Sequence, residues 1–127
     1  PDNIHIRSAG SIVYSNKYGL TCVGGYNNGY SDKLELLEHK KDGTFQDTWK
    51  ELASMPVAKA GHASIIFNND YIFESGGCND SSVGYFKKCS IYNYMTNKWK
   101  CIKDMNVCRT MSGIGYDYSK NRMIIGG

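Results

Sequence analysis

Three cations stand at matching places in this sequence: Arg7, Lys59 and Arg109 each open a stretch of one length (7–25, 59–77, 109–127) that ends in Gly-Gly. A guanidinium offers a carboxylate a planar two-pronged donor, whereas an ammonium such as that of Lys59 offers only a point charge. Two chemistries fit such cations: capture of an acidic ligand, or bonds to loop carbonyls that order the chain locally. The other reactive side chains give less. His5, His39 and His62 show no metal-ligand spacing, and His62 reads as a satisfied core histidine. No G-x-S-x-G, phosphate-cradling loop or HExxH is present. Glu35 and Glu38 read as strand and turn surface. No catalytic residue, metal ligand or cofactor is therefore expected from this chain.

Five cysteines raise a redox question. Cys22 lies in an apolar run and reads as a small buried hydrophobe. Cys78 and Cys89 flank one loop, and Cys101 and Cys108 bracket a turn; in an oxidising compartment 78–89 and 101–108 are the expected pairs, with Cys22 left free. The odd count and the absence of an opening signal peptide favour reduced thiols in a cytoplasmic protein. Secretion is the alternative, and the sequon Asn79-Asp80-Ser81 keeps it open.

The bulk numbers describe a globular chain. Of 127 residues, 41% are hydrophobic and 21% charged, enough for one ordinary domain with a core. Ten tyrosines and fourteen glycines against two prolines suggest short strands and tight turns. Net charge is +3 and the cations are scattered, which gives no support to nucleic-acid binding. No apolar run reaches membrane-spanning length.

The elements that must hold the three cations come from a repeat. Gly-Gly pairs begin at Gly24, Gly76 and Gly126, and Trp49 and Trp99 lie 50 apart. Only the segment from Gly-Gly to Trp varies in length, as surface loops do. Four short strands are expected per repeat. The first is rich in small and β-branched residues (8–13, 60–67, 113–116), the second is apolar and closed by Gly-Gly (20–23, 71–75, 123–125). The third is "KLELLEH" or "CSIYNYM", and the fourth carries the Trp, "TWKEL" or "KWKCI". Four-stranded sheets recurring at about 50 residues are what a β-propeller blade needs. Ala9, Gly10, Ala60, Gly61, Ala63 and Gly113 suit a crowded inner strand, and Gly24, Gly25, Gly76, Gly77, Gly126 and Gly127 a sharp backbone turn or close approach. Trp49, Trp99 and Tyr92 are plates for the wedge between blades, each burying roughly 150–250 Å². A β-sandwich is the rival all-β reading, and it gives no reason for the fixed register.

The Gly-Gly, the run "YNYMTNKW" (92–99) and "DMNVCR" (104–109) together resemble the kelch repeat. That family shows a Gly-Gly, a Tyr seven residues before a Trp, and an Arg shortly after a Met-Pro-like turn. The first repeat departs from it: "HKKDGTFQDTW" has a longer, charged turn, and Leu36 or Leu37 stands where the Tyr belongs. The resemblance implies an all-β kelch-type propeller of about two and a half four-stranded blades, with blades at 7–52 and 59–102 and the inner half of a third at 109–127. Propellers close with about four to eight blades, so residues 1–127 are expected to be part of one longer ring.

The resemblance also implies function. Family members that capture acidic peptides use arginines where Arg7, Lys59 and Arg109 fall, at one mouth of the channel. The loops "YNNGYSD" (26–32) and "CNDSSVGYFKK" (78–88) offer Tyr26, Asn27, Tyr30, Asn79, Tyr85 and Phe86 as partner anchors, since aromatics are enriched at binding hot spots. The bland reading is that these residues build turns and pack locally. The expected function is a non-enzymatic interaction scaffold or substrate receptor. Its partner would be a protein: an acidic peptide segment, a ubiquitin-ligase component or actin. The alternative is a propeller enzyme on sugars, of the sialic acid isomerase or copper sugar oxidase type.

Overall fold

Strands form where β-branched and apolar residues run between glycine, asparagine and charged turns. The computed structural model describes residues 8–82 and 84–126, so Arg7, His5 and Gly127 lie outside the described residues. The first sheet contains β1 (Ser11–Ser15), β2 (Gly19–Tyr26), β3 (Tyr30–Glu38) and β4 (Lys50–Leu52). The second contains β5 (Ala60–Phe67), β6 (Tyr71–Cys78), β7 (Cys89–Asn93) and β8 (Lys98–Ile102). A two-stranded sheet follows, β9 (Gly113–Asp117) with β10 (Arg122–Gly126). Each sheet is an antiparallel meander in chain order, as hairpin connections require.

The strands match the expected sets with three corrections. The first strand begins at Ser11 rather than Ser8, because Ala9 adopts φ +52° and Ser8 makes only an isolated bridge to Tyr26. Trp49 precedes β4 instead of lying in it. The glycine pairs do not close the second strand: Gly24-Gly25 lies within β2 and Gly76-Gly77 within β6, all four at positive φ. In β2 the register to β3 slips between Val23 and Gly25, a bulge inside the strand.

A hydrophobic core lies between the first two sheets. Val13, Val23, Leu34, Leu36 and Met55 meet Ile72, Tyr92 and Tyr94, with Trp99 packed on the cluster. Tyr92 is 1% exposed, its ring tilted against Trp99 at 5.3 Å between centroids. The Trp99 indole N–H donates to the Ala53 carbonyl at 2.8 Å, and Asn97 Oδ1 accepts from the Ala53 N–H at 2.9 Å and from the Tyr92 hydroxyl at 2.7 Å. Trp99 thus fills the space between sheets as its wedge role requires, and Asn97 fastens the same place with polar bonds. At the far end the Tyr18 ring stacks on Tyr94, and Lys17 and Tyr18 both bond Asp70 Oδ1 across the sheets.

Candidate functional site

One end of the stacked sheets gathers the linkers 53–59 and 103–112 and the hairpin loops of β2–β3 and β6–β7. The two linkers dock by the same backbone bonds. The N–H groups of Met55 and Lys59 donate to the carbonyls of Asp32 and Ser31, and those of Met105 and Arg109 to Lys87 and Phe86. Gly25 N–H donates to the Lys59 carbonyl at 2.9 Å, and Gly77 N–H to the Arg109 carbonyl at 2.8 Å. The pair in one sheet thus receives the cation that opens the following sheet. A Cβ on Gly24 would come within 2.9 Å of the Lys59 carbonyl oxygen, and one on Gly76 would overlap that of Arg109. Left-handed φ and main-chain proximity both demand glycine here.

Lys59 does not face a ligand at the mouth. It is 2% exposed, and its Nζ lies 2.7 Å from Glu74 Oε2 and 5.8 Å from the centre of the Phe86 ring. Phe86 is itself buried at 8% exposure, so it serves as the wall over this ammonium and not as a partner anchor. Glu74, on β6, accepts at Oε1 from the Ser90 hydroxyl of β7, its cross-strand partner. Burial pushes the Glu74 carboxyl up, with Lys59 and Ser90 opposing. Cys89 beside them has its thiol raised by burial and then by the Glu74 charge. Sequence reasoning missed Glu74. Its signal was a carboxylate inside the otherwise apolar run "YIFESGG". Glu35 is a second correction: it is fully buried on β3 rather than on the surface.

Around this buried pair the loops carry the exposed aromatics. Tyr26 and Tyr30 meet edge to face at 5.2 Å across their hairpin. Burial raises the Tyr30 phenol, and Asp80 and Cys78 of the second sheet lie near enough to raise it further. Tyr85 stands 57% exposed and bridges Cys78 in the backbone, and Asn27 is exposed at the tip of its turn. Asn79 is a brace: its Nδ2 donates to Ala58 O at 2.9 Å and its Oδ1 accepts from Ser81 N–H at 2.8 Å. Arg109 is half-buried, with its backbone committed as above. Arg7 lies outside the described residues.

All five cysteines are thiols. Cys78 opposes Tyr85, while Cys89 opposes Ser75 and Ile102, so the expected facing of 78 and 89 does not occur. Cys101 and Cys108 are both exposed. His62 is a core histidine as expected, 6% exposed, with Nε2 3.1 Å from Ser11 Oγ, which in turn donates to Ser64 Oγ. Among the described residues no three His, Cys, Asp or Glu side chains converge as a metal-holding group, and no helix is long and apolar enough to cross a membrane.

A family model described as the Kelch motif matches residues 60–106, the second sheet with its outgoing linker. Kelch-like protein 41b of Danio rerio is 31% identical over 98 residues, 76% of this chain and 14% of that protein. The chain carries a kelch motif. A RING finger domain and kelch repeat-containing protein of Dictyostelium discoideum is 30% identical over 126 residues, 95% of the chain and 12% of that relative. The chain therefore spans only about one seventh or less of the length of these kelch-bearing relatives. Two solved structures share the fold. That of YjhT superposes with a TM-score of 0.77 at 18% identity, covering 98% of this chain and 35% of that one. That of a fungal alcohol oxidase in complex with copper gives 0.70 at 13%, covering 85% and 24%. The kelch architecture of two four-stranded sheets and a partial third is thereby established.

Proposed function

We propose that this kelch module is a non-enzymatic protein-binding surface, and that its partner docks on the loops at the linker end. The observation that carries the reading is the grouping of Tyr26, Tyr30, Asp80 and Tyr85 on two adjacent hairpin loops. Exposed tyrosines over a rigid base lose little conformational freedom on binding, which suits them to anchor a protein segment. The kelch-like and RING-kelch relatives support protein partners in general. Lys59 and Phe86 belong beneath this surface as its support, not to the contact. A reducing, cytoplasmic setting is part of the proposal, supported by cysteines that face Tyr85 and Ser75 rather than each other.

The test places a photo-crosslinking residue at position 85 or at position 118 of the full chain in cells. Tyr118 is 71% exposed in the β9–β10 turn, at the opposite end of the sheets. A discrete protein adduct from 85 and none from 118 is expected, with the 85 adduct lost in Tyr26→Ala. Equal labelling from both positions, or none from 85, would remove the loop surface from consideration.

A further inference from the structure

One linker holds the two tyrosine loops together. Lys59 N–H donates to the Ser31 carbonyl, and the Asn79 side-chain amide donates to the carbonyl of Ala58, the residue just before Lys59. Tyr30 and Asp80 are the chain neighbours of those two anchors, so consecutive linker residues bring them close. The electrostatics agree: after burial, the Asp80 charge is the strongest influence raising the Tyr30 phenol. Tyr30 meets Tyr26 edge to face, and Tyr26 keeps 42% of its surface exposed.

The charge at this place has the wrong sign for capture of an acidic segment. Lys59 is buried against Glu74. The loop tips, 26–32 and 78–82, carry Asp32 and Asp80 and no basic residue. Among the described residues neither carboxylate has an ion-pair or hydrogen-bond partner. Lys87 and Lys88 are exposed farther along the return limb of the second loop, and an acidic segment would have to use those.

We infer, on the reading that a protein docks on these loops, that the residue it anchors there is an arginine. A guanidinium is flat and forked, so its face stacks on an aromatic ring while its N–H edge donates two bonds to a carboxylate. Tyr30 and Tyr26 supply the rings from one loop, and Asp80 supplies the carboxylate from the other. A lysine ammonium matches the charge but neither the plane nor the fork. The docked segment is basic, opposite in sign to the acidic peptide expected from the three cations.

The experiment uses a blocked peptide, Gly-Arg-Gly followed by a diazirine-bearing leucine, irradiated with the purified full chain at millimolar concentration. Adducts are mapped by peptide mass spectrometry. Labelling is expected to concentrate on the two loops, several-fold above that from counterparts with citrulline, lysine or glutamate in place of arginine. Citrulline keeps the shape of arginine and lacks its charge. Asp80 is exposed, so its variants should leave the fold intact. Asp80→Ala is expected to cut the arginine-dependent yield several-fold, and Asp80→Glu to keep most of it. Equal labelling by the citrulline or lysine peptide, preference for the glutamate peptide, or a yield undiminished in Asp80→Ala overturns the inference. A cellular adduct at position 85 alongside any of those results removes the arginine and keeps the docking surface. Absence of that adduct removes both.

Discussion

The first two sheets bury a carboxylate at equivalent places with different residues. In the first, Cys22 of β2 stands opposite Glu35 of β3; in the second, Glu74 of β6 stands opposite Ser90 of β7. Cys22 and Glu74 each precede their glycine pair by the same two positions, so the two cross-strand pairs are equivalent places. Each place buries one carboxylate, at 0% and 1% exposure, but from the third strand in one sheet and the second strand in the other. Either strand of the cross-strand pair can thus supply the buried carboxylate at this place. In the third stretch the matching residue is Ile124, half exposed on β10. The comparison shows why a repeat can look degraded residue by residue while its geometry is intact.

The harshest way to break the equivalence of the sheets is at the backbone. Gly76→Ala places a Cβ onto the Arg109 carbonyl at a φ of +70°, so a loss of about 3 kcal/mol is expected in denaturant unfolding of the full chain. Gly43→Ala shares a positive φ of +85° but meets nothing within 4 Å, and its cost should stay near 1 kcal/mol. Equal losses would mean that φ alone, and not docking of the linker, explains the glycine pair.

Charge comes second. Removing one partner of a buried ion pair costs about 3 kcal/mol, whereas removing both costs much less. Glu74→Gln, which strands the Lys59 ammonium, should therefore destabilise more than the double variant Lys59→Met/Glu74→Leu. The pH response sharpens the point. The folded state holds the Glu74 proton more tightly than the unfolded chain, whose ordinary value is 4.5. The stability this group contributes is thus fully present below 4.5 and declines as pH rises through its raised folded value. Lys59→Met strips away the main opposing charge, so its deficit should be largest at neutral pH and shrink on acidification. A deficit independent of pH would place Glu74 outside the network.

Asn97 gives the smallest effect. Asn97→Gly keeps the left-handed backbone at φ +52° but loses the bonds to Ala53 and Tyr92, and about 1–2 kcal/mol should disappear from the union of the two sheets. Hydrogen exchange at the Ala53 amide should rise in step.

The architecture was legible because its signals are periodic. Glycine pairs and tryptophans keep register whatever the loops do, and β5 and β8 run over the residues expected of them. The site was less legible, since burial of a charged side chain depends on a neighbouring strand that no local pattern reveals. Lys59 looked like a ligand-facing cation because its partner lies on β6, fifteen residues on, and Glu35 looked like surface because its strand alternates only partially. Phe86 was misplaced for a related reason. An aromatic in a polar loop reads as a tip until the ammonium beneath it is known.

The latch between sheets is made from main-chain atoms, a glycine N–H and a carbonyl that any residue supplies. A unit carrying its own glycine pair can therefore be copied and joined to the next without inventing a new side-chain fit at the seam. Such a seam lets an array lengthen by duplication of its coding segment while every blade's loops diverge independently.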